Sequence, residues 1–301
     1  MKMKNLHKIM CLGLMCGLMG CAGGASAGDS TVIVDVAKGK TLSVQQLAQK
    51  LKPYQAVFFG EFHDQDSLHL LEYSLLQKMY ALHGDKLVLS MEMFEADNQS
   101  KLDGYLAGSL SEEDFVNTAR PWPRYKTDYR PMIEFAKEHK IPVIAANIPR
   151  FLAAVMAKEG TVENVEPQYR PYLPRHTYAP EGKYKEKFTA HMTKGEGQMR
   201  IPPARIGQVF AAQCIKDDKM AESIYDYLQA NKDKVVLHIN GCFHSDGHLG
   251  TVEKLEALAP ALKVAVISPK DLPADKNYSG SLEKDKEDGE FLVYFPRVNK
   301  E

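Results

Sequence analysis

Residues 57–69 read VFFGEFHDQDSLH: an apolar run passes through one glycine into Glu61, His63, Asp64, Asp66 and His69. A short apolar run that ends so abruptly in charge reads as a buried strand whose carboxyl end reaches a solvent-filled crevice. The segment after it, SLHLLEYSLLQKMYALHG, spaces Leu68, Leu71, Leu75, Met79 and Leu82 by threes and fours and stops at Gly84. That spacing predicts an amphipathic helix with a glycine at its end, and Asp66 is expected to cap its start near Ser67.

The same alternation extends outward in both directions. TLSVQQLAQKL precedes the strand as a helix. KLVLSMEMF follows as a second strand, RPMIEFAKEHK as a helix and IPVIAAN as a third strand. Residues 204–232 read as one long or broken helix, VVLHING as a strand, GTVEKLEALA as a helix and KVAVIS as a strand, with EFLVYFP expected as a final edge strand. Continuous apolar strands separated by helices imply an α/β fold, a mainly parallel sheet with helices on both faces. Residues 97–130 and 160–200 break the pattern and read as helical or loop excursions from the strand ends.

Before this domain, Lys2, Lys4 and Lys8 introduce the apolar, glycine-broken run IMCLGLMCGLMGCAGG. It has the form of an export signal rather than a membrane span. LMGC at 18–21 resembles a bacterial lipobox, so residues 1–20 are expected to be a lipoprotein signal peptide, Cys21 the lipidated residue and 21–30 a flexible tether to a domain at 31–301. Cleavage after ASA at 25–27 is the competing reading. Either route exports the protein, and the lipidated form belongs to the bacterial cell envelope, at the outer membrane. Cys214 and Cys242 are the cysteines left in the domain, as a disulfide or as two buried thiols. The formal net charge of −1 across 301 residues argues against nucleic-acid binding.

Residues just past the carboxyl ends of parallel strands share one crevice. Here they are Gly60, Glu61 and His63 from the first strand, Glu92 and Glu95 from the second, Asn147 and Arg150 from the third, and Asn240, Gly241, Cys242 and His244 from the fourth. GEFH and GCFH thus present two Gly-x-x-His elements with an acidic residue between them. Such imidazoles and carboxylates suit a divalent metal, with Glu61, His63 and His244 as ligands, or acid–base chemistry. Taken singly, each histidine reads equally as a solvated loop residue or a satisfied core residue.

Five stretches, GEFHDQDSLH, LSMEMFEADNQSKLDGYLAG, YRPMIEFAKEHKIPVIAANIPR, QCIKDDKMAESI and INGCFHSDGHLG, resemble in that order the ChaN family of haem-binding lipoproteins, over about residues 40–270. That family stands in a wider group with Tiki metalloprotease-like and erythromycin-esterase-like proteins. Gly60, Glu61, His63, Glu92, Gly241 and His244 are the matching positions. The resemblance implies a membrane-anchored protein of haem and iron acquisition, in which a dimer encloses two stacked haems with tyrosine as iron ligand and histidine nearby. A hard phenolate oxygen suits ferric haem, and the absence of CxxCH argues against covalent attachment. An outer-membrane haem receptor is the partner that family context suggests.

YRPYLPRHTYAP supplies Tyr169, Tyr172 and Tyr178 around His176, with Arg170 and Arg175 for the propionates. Tyr178, Tyr172, His176 and Arg175 are the expected haem-binding set. An ordinary proline-rich lid is the alternative there, and PWPRYKTDYR with Trp122, Arg124 and Tyr125 is a second candidate or a cap over the crevice. The opposing functional reading is a hydrolase in which His63 or His244 activates water and Glu61 or Glu92 assists.

Overall fold

Residues 31–194, 201–273 and 277–298 are described by the structure, a computed structural model. The expected signal peptide and tether at 1–30, Cys21 included, lie outside the described residues. No helix among the described residues is long and apolar enough to cross a membrane.

The chain begins with a hairpin of β1 (Val32–Asp35) and β2 (Lys40–Leu42), then α1 (Val44–Leu51), whose start is fixed by a reciprocal cap between Ser43 and Gln46. There follow β3 (Ala56–Glu61), α2 (Asp66–His83), β4 (Leu87–Glu95), α3 (Gln99–Leu106), α4 (Glu112–Thr118), α5 (Arg130–His139), β5 (Val143–Asn147) and α6 (Arg150–Glu159). The second half holds α7 (Lys183–Lys194), α8 (Ile206–Ala230), β6 (Val235–Gly241), α9 (Thr251–Leu258), β7 (Val264–Asp271), α10 (Ser279–Asp285) and β8 (Phe291–Phe295).

The sheet runs β2-β1-β8-β7-β3-β6-β4-β5. From β8 to β5 every neighbour is parallel, and the β1–β2 hairpin adds the antiparallel edge. Strand residues alternate between two cores. Val57, Phe59, Leu87 and Leu89 pack with α1, α2 and α5 on one face, whereas Ala56, Phe58, Val88 and Val236 pack with α8 and α9 on the other. This two-sided burial is why the strands read as continuous apolar runs.

Two details differ from the sequence reading, and a third resolves an alternative it left open. EFLVYFP is not an edge strand, because β1 pairs along its outer side and all five β8 residues are buried. Asp66 does not cap α2: Gln65 holds that position, and Asp66, already in the first turn, pairs with Arg124 at 2.6 Å. Of the two readings of residues 204–232, one long helix is the outcome: α8 is unbroken over Ile206–Ala230, 25 residues. α2 does end at Gly84, whose φ of 56° is a left-handed conformation that glycine adopts at low cost.

The topology places the site. The chain leaves β3 for β4 and β5, returns to insert β6 between β3 and β4, and then crosses to β7 on the other side of β3. A reversal of this kind opens a crevice at the carboxyl ends of the strands around it. It is widened where β4 loses register with its neighbours between Met91 and Glu95, beyond the last β4–β6 pair at Met91 and Ile239.

Candidate functional site

A crevice of about 930 Å³ lies over the ends of β3, β6 and β4. Its floor carries Glu61, His63, Glu92 and His244, the four strand-end residues expected from the sequence, and Trp122, Phe188 and Phe243 contribute its apolar walls. Glu95, Asn147 and Arg150 also line it, with Arg150 held by Glu95 at 2.5 Å.

The four polar residues form two imidazole–carboxylate pairs. His63 Nδ1 lies 2.5 Å from Glu61 Oε1, and His244 Nε2 lies 3.4 Å from Glu92 Oε1. Gly241 stands between them and donates its N–H to Glu92 Oε2 at 2.8 Å. A Cβ at Gly241 would lie 2.8 Å from His63 Nε2, and one at Gly60 would lie 2.9 Å from the Cys242 backbone. Close approach therefore marks the glycine of each Gly-x-x-His element, by backbone at Gly60 and by the movable His63 ring at Gly241.

Partners that the sequence left hidden hold these pairs in place. Asp217, fully buried on α8, accepts from His244 Nδ1 at 2.6 Å, from Tyr184 OH at 2.8 Å and from Thr251 Oγ1 at 2.8 Å. Tyr129 OH donates to Glu61 Oε1 at 2.7 Å. His63 stacks edge-on against Trp122 with ring centroids 4.8 Å apart, so the PWPRY segment does form a wall of the crevice.

Burial opposes charge at every one of these groups, and the pairing overrides it. Burial would raise the Glu61 carboxyl, but His63 and His69 hold it down at about 2. The His244 ring is disfavoured as a cation by burial, yet Glu92 and Asp217 lift it to about 10. His63 is raised as well, with desolvation outweighed by its bond to Glu61. His244 is thus held as an imidazolium beside two carboxylates near neutral pH. His238 contrasts with His244: buried against Ser90 Oγ at 2.8 Å, it is pushed down to about 3 by desolvation and stays neutral as a core residue.

The tyrosine-rich segment lies apart from this floor. Tyr172, Tyr178, His176 and Arg175 do not line the crevice. Tyr178 is 64% exposed, its backbone N–H bound by Asp218 Oδ2 at 2.9 Å and its ring beneath the Lys254 ammonium. Tyr172 packs beside Ile148 and Leu152, and His176 is exposed. Arg175 is engaged by Asp226 at 2.7 Å and Glu222 at 3.3 Å. Nearby, Tyr169 and Phe151 form an exposed edge-on pair with centroids 4.9 Å apart. Cys214 and Cys242 are separate free thiols.

A two-faced α/β sheet with paired Gly-x-x-His elements over a strand-end crevice defines the class. Residues 47–255 match the family model described as haem-binding uptake, Tiki superfamily, ChaN, and the chain belongs to that family. Among solved structures it is similar to the Campylobacter jejuni ChaN structure titled for cofacial haem binding, at 13% identity and a TM-score of 0.67, over 88% of this chain and 97% of that one. An erythromycin esterase, EreC, aligns at 13% identity and a TM-score of 0.48, over 81% of this chain and 77% of that one. No protein with a curated description matches the sequence.

Proposed function

We propose that this protein is an envelope lipoprotein, anchored through Cys21, that binds haem during iron acquisition and holds the ferric iron through a tyrosine phenolate in a dimer. The observation that carries this reading is membership of a haem-binding uptake family across residues 47–255. Haem, when bound, supplies a ferric centre that favours a hard anionic oxygen.

The chain's own residues fit that role. Tyr178 offers a phenol to solvent, and Phe151 and Tyr169 form an exposed aromatic pair of the kind that suits a porphyrin face. An exposed phenol leaves the second face of a haem in water, so a second copy of the chain is needed to cover it. That requirement supports a dimer. Because Arg175 already serves Asp226 and Glu222, it reaches a propionate only by exchanging partners. An outer-membrane haem receptor would be the donor or acceptor of the cargo.

The test is a haemin titration followed by the Soret band and by sedimentation. Saturation near one haem per chain with dimer formation is expected, and Tyr178→Phe or Tyr172→Phe should shift or abolish the band. A band that survives substitution of every tyrosine in the segment, Tyr169 included, would remove it as the ligand source. No saturable binding would overturn the haem reading.

A second reading is favoured by the crevice floor, where His244 sits between Asp217 and Glu92. There His244, held as an imidazolium, would serve as a general acid toward a leaving group in a metal-dependent or histidine-based hydrolase. Ester or amide hydrolysis abolished by His244→Ala, with haem binding intact, would establish it.

A further inference from the structure

Between β3 and α2 lies a second polar cluster, in which His69 and Glu72 meet the Oε2 side of Glu61, away from the His63 that its Oε1 holds. We propose that Glu61, His69 and Glu72 form a binding site for a first-row divalent transition cation of the zinc class. Ligand atoms of these three residues all lie within 4.8 Å of one another. His69 Nδ1 is 3.3 Å from Glu61 Oε2 and 3.2 Å from Glu72 Oε2. Donors so spaced subtend about 100° at an ion roughly 2.1 Å from each, close to the tetrahedral preference of zinc.

Two further observations point to a ligand. Glu72 Oε1 is buried without a hydrogen-bond partner and Glu61 Oε2 has only the His69 ring, at 3.3 Å, while the two residues are 0% and 1% exposed. Buried carboxylate oxygens left this way are costly unless a cation or proton satisfies them. The outer ring nitrogen of His69 is also oriented as a metal-bound imidazole requires: Nε2 faces the His63 carbonyl at 3.3 Å and Asp128 Oδ2 at 3.4 Å. Carboxylate or carbonyl contact at the far nitrogen fixes the ring's orientation, and an ion would displace the Nδ1 proton that now lies between Glu61 Oε2 and Glu72 Oε2. Asp128 is itself clamped by Arg124, and Tyr129 and His63 hold Glu61 through its other oxygen.

On the α2 side the site reaches the surface at His69, and on the other side at Glu61, which lines the large crevice. A surface cavity of about 380 Å³ is lined by Asp66, His69, Arg124 and Asp128. A cation entering there meets His69 first. Two carboxylates of the site would balance its double charge with the imidazole neutral.

The full chain, stripped with chelator and dialysed, should bind one Zn²⁺ per chain in competition with a chromogenic chelator, and Co²⁺ should give the ligand-field absorption of a low-symmetry site. Glu72→Gln, which keeps the shape of the side chain, should weaken Zn²⁺ binding by roughly tenfold or more and dim the Co²⁺ band. His244→Ala, on the crevice floor, should leave both unchanged. A wild-type protein that retains no stoichiometric Zn²⁺, or a Glu72→Gln variant that is folded by circular dichroism and binds as tightly as wild type, would overturn the assignment. So would loss of the ion in His244→Ala with retention in Glu72→Gln. Haem titration of the same Glu72→Gln sample reads the tyrosine segment separately, so the two readings stand or fall independently.

Discussion

His244 Nδ1 lies 2.6 Å from Asp217 Oδ1, and the opposite nitrogen of the same ring faces Glu92 Oε1 at 3.4 Å. Strand end and long helix therefore meet through one imidazole, and α8 sets the direction in which the strand-end histidine points.

Replacing Asp217 by Asn should lower the His244 pKa from its position near 10 and free Tyr184 OH and Thr251 Oγ1 from a shared acceptor. Loss of one partner from a buried charged pair costs about 3–5 kcal/mol. The His244 pKa is raised on folding, so its contribution is fully present below about 6.5, its unfolded value, and is lost as pH rises through about 10. Chemical denaturation of Asp217→Asn across pH 6–11 should show lower stability and a shallower alkaline decline, and the His244 ring signals in an NMR titration should move at a lower pH.

The two glycines of the Gly-x-x-His elements should respond differently to alanine. At Gly60 the added methyl meets the Cys242 backbone at 2.9 Å and the Pro269 ring at 3.2 Å, with nothing flexible to yield. Gly60→Ala is therefore expected to destabilise the fold by about 1–3 kcal/mol. At Gly241 the methyl meets the tip of the His63 ring, which is partly exposed and can swing away. Gly241→Ala should leave the melting temperature nearly unchanged while displacing His63 from Glu61, seen as a fall of the His63 pKa toward its ordinary value.

Much of this floor was legible in the sequence because parallel strands buried on both faces announce themselves as apolar runs, and their carboxyl ends must share a crevice. Glu61, His63, Glu92 and His244 follow from that rule alone. Asp217 and Glu72 do not: each sits on a helix among other polar residues, in CIKDDKM and HLLEYSL, where a solvent-facing position reads the same as a buried one. Only the packing of α8 and α2 against the sheet tells them apart. The interior place of β8 was equally hidden, since it depends on long-range pairing with the β1–β2 hairpin rather than on its own five residues.

His248 provides a second pH-dependent contact away from the crevice. Its ring bridges Glu290 at 3.1 Å and Glu256 at 2.9 Å, and the bond to Glu290 raises the imidazole to about 9 despite partial burial. Stability from this bridge is complete below about 6.5 and disappears as pH rises through about 9. Its partly exposed position limits the effect to about 1 kcal/mol. His248→Asn suits the left-handed backbone, φ 56°, and so should remove the bridge without backbone strain. Its melting temperature should fall below wild type at pH 6 and converge with it above pH 9.

Asp218 should govern the tyrosine segment from beneath. Its Oδ2 accepts the Tyr178 N–H at 2.9 Å, and its Oδ1 holds the Lys254 ammonium at 2.7 Å, the same ammonium that lies over the Tyr178 ring. Asp218→Ala removes the acceptor of the Tyr178 N–H and the carboxylate that positions Lys254, while leaving the exposed phenol and the Lys254 contact to the Tyr178 carbonyl in place. Faster amide exchange is expected across residues 175–179, with haem affinity reduced roughly tenfold through the added cost of ordering the segment on binding. Haem affinity unchanged alongside faster exchange would mean that Tyr178 does not set the binding geometry, and unchanged exchange would mean that the Arg175 pairs with Glu222 and Asp226 suffice to hold the segment.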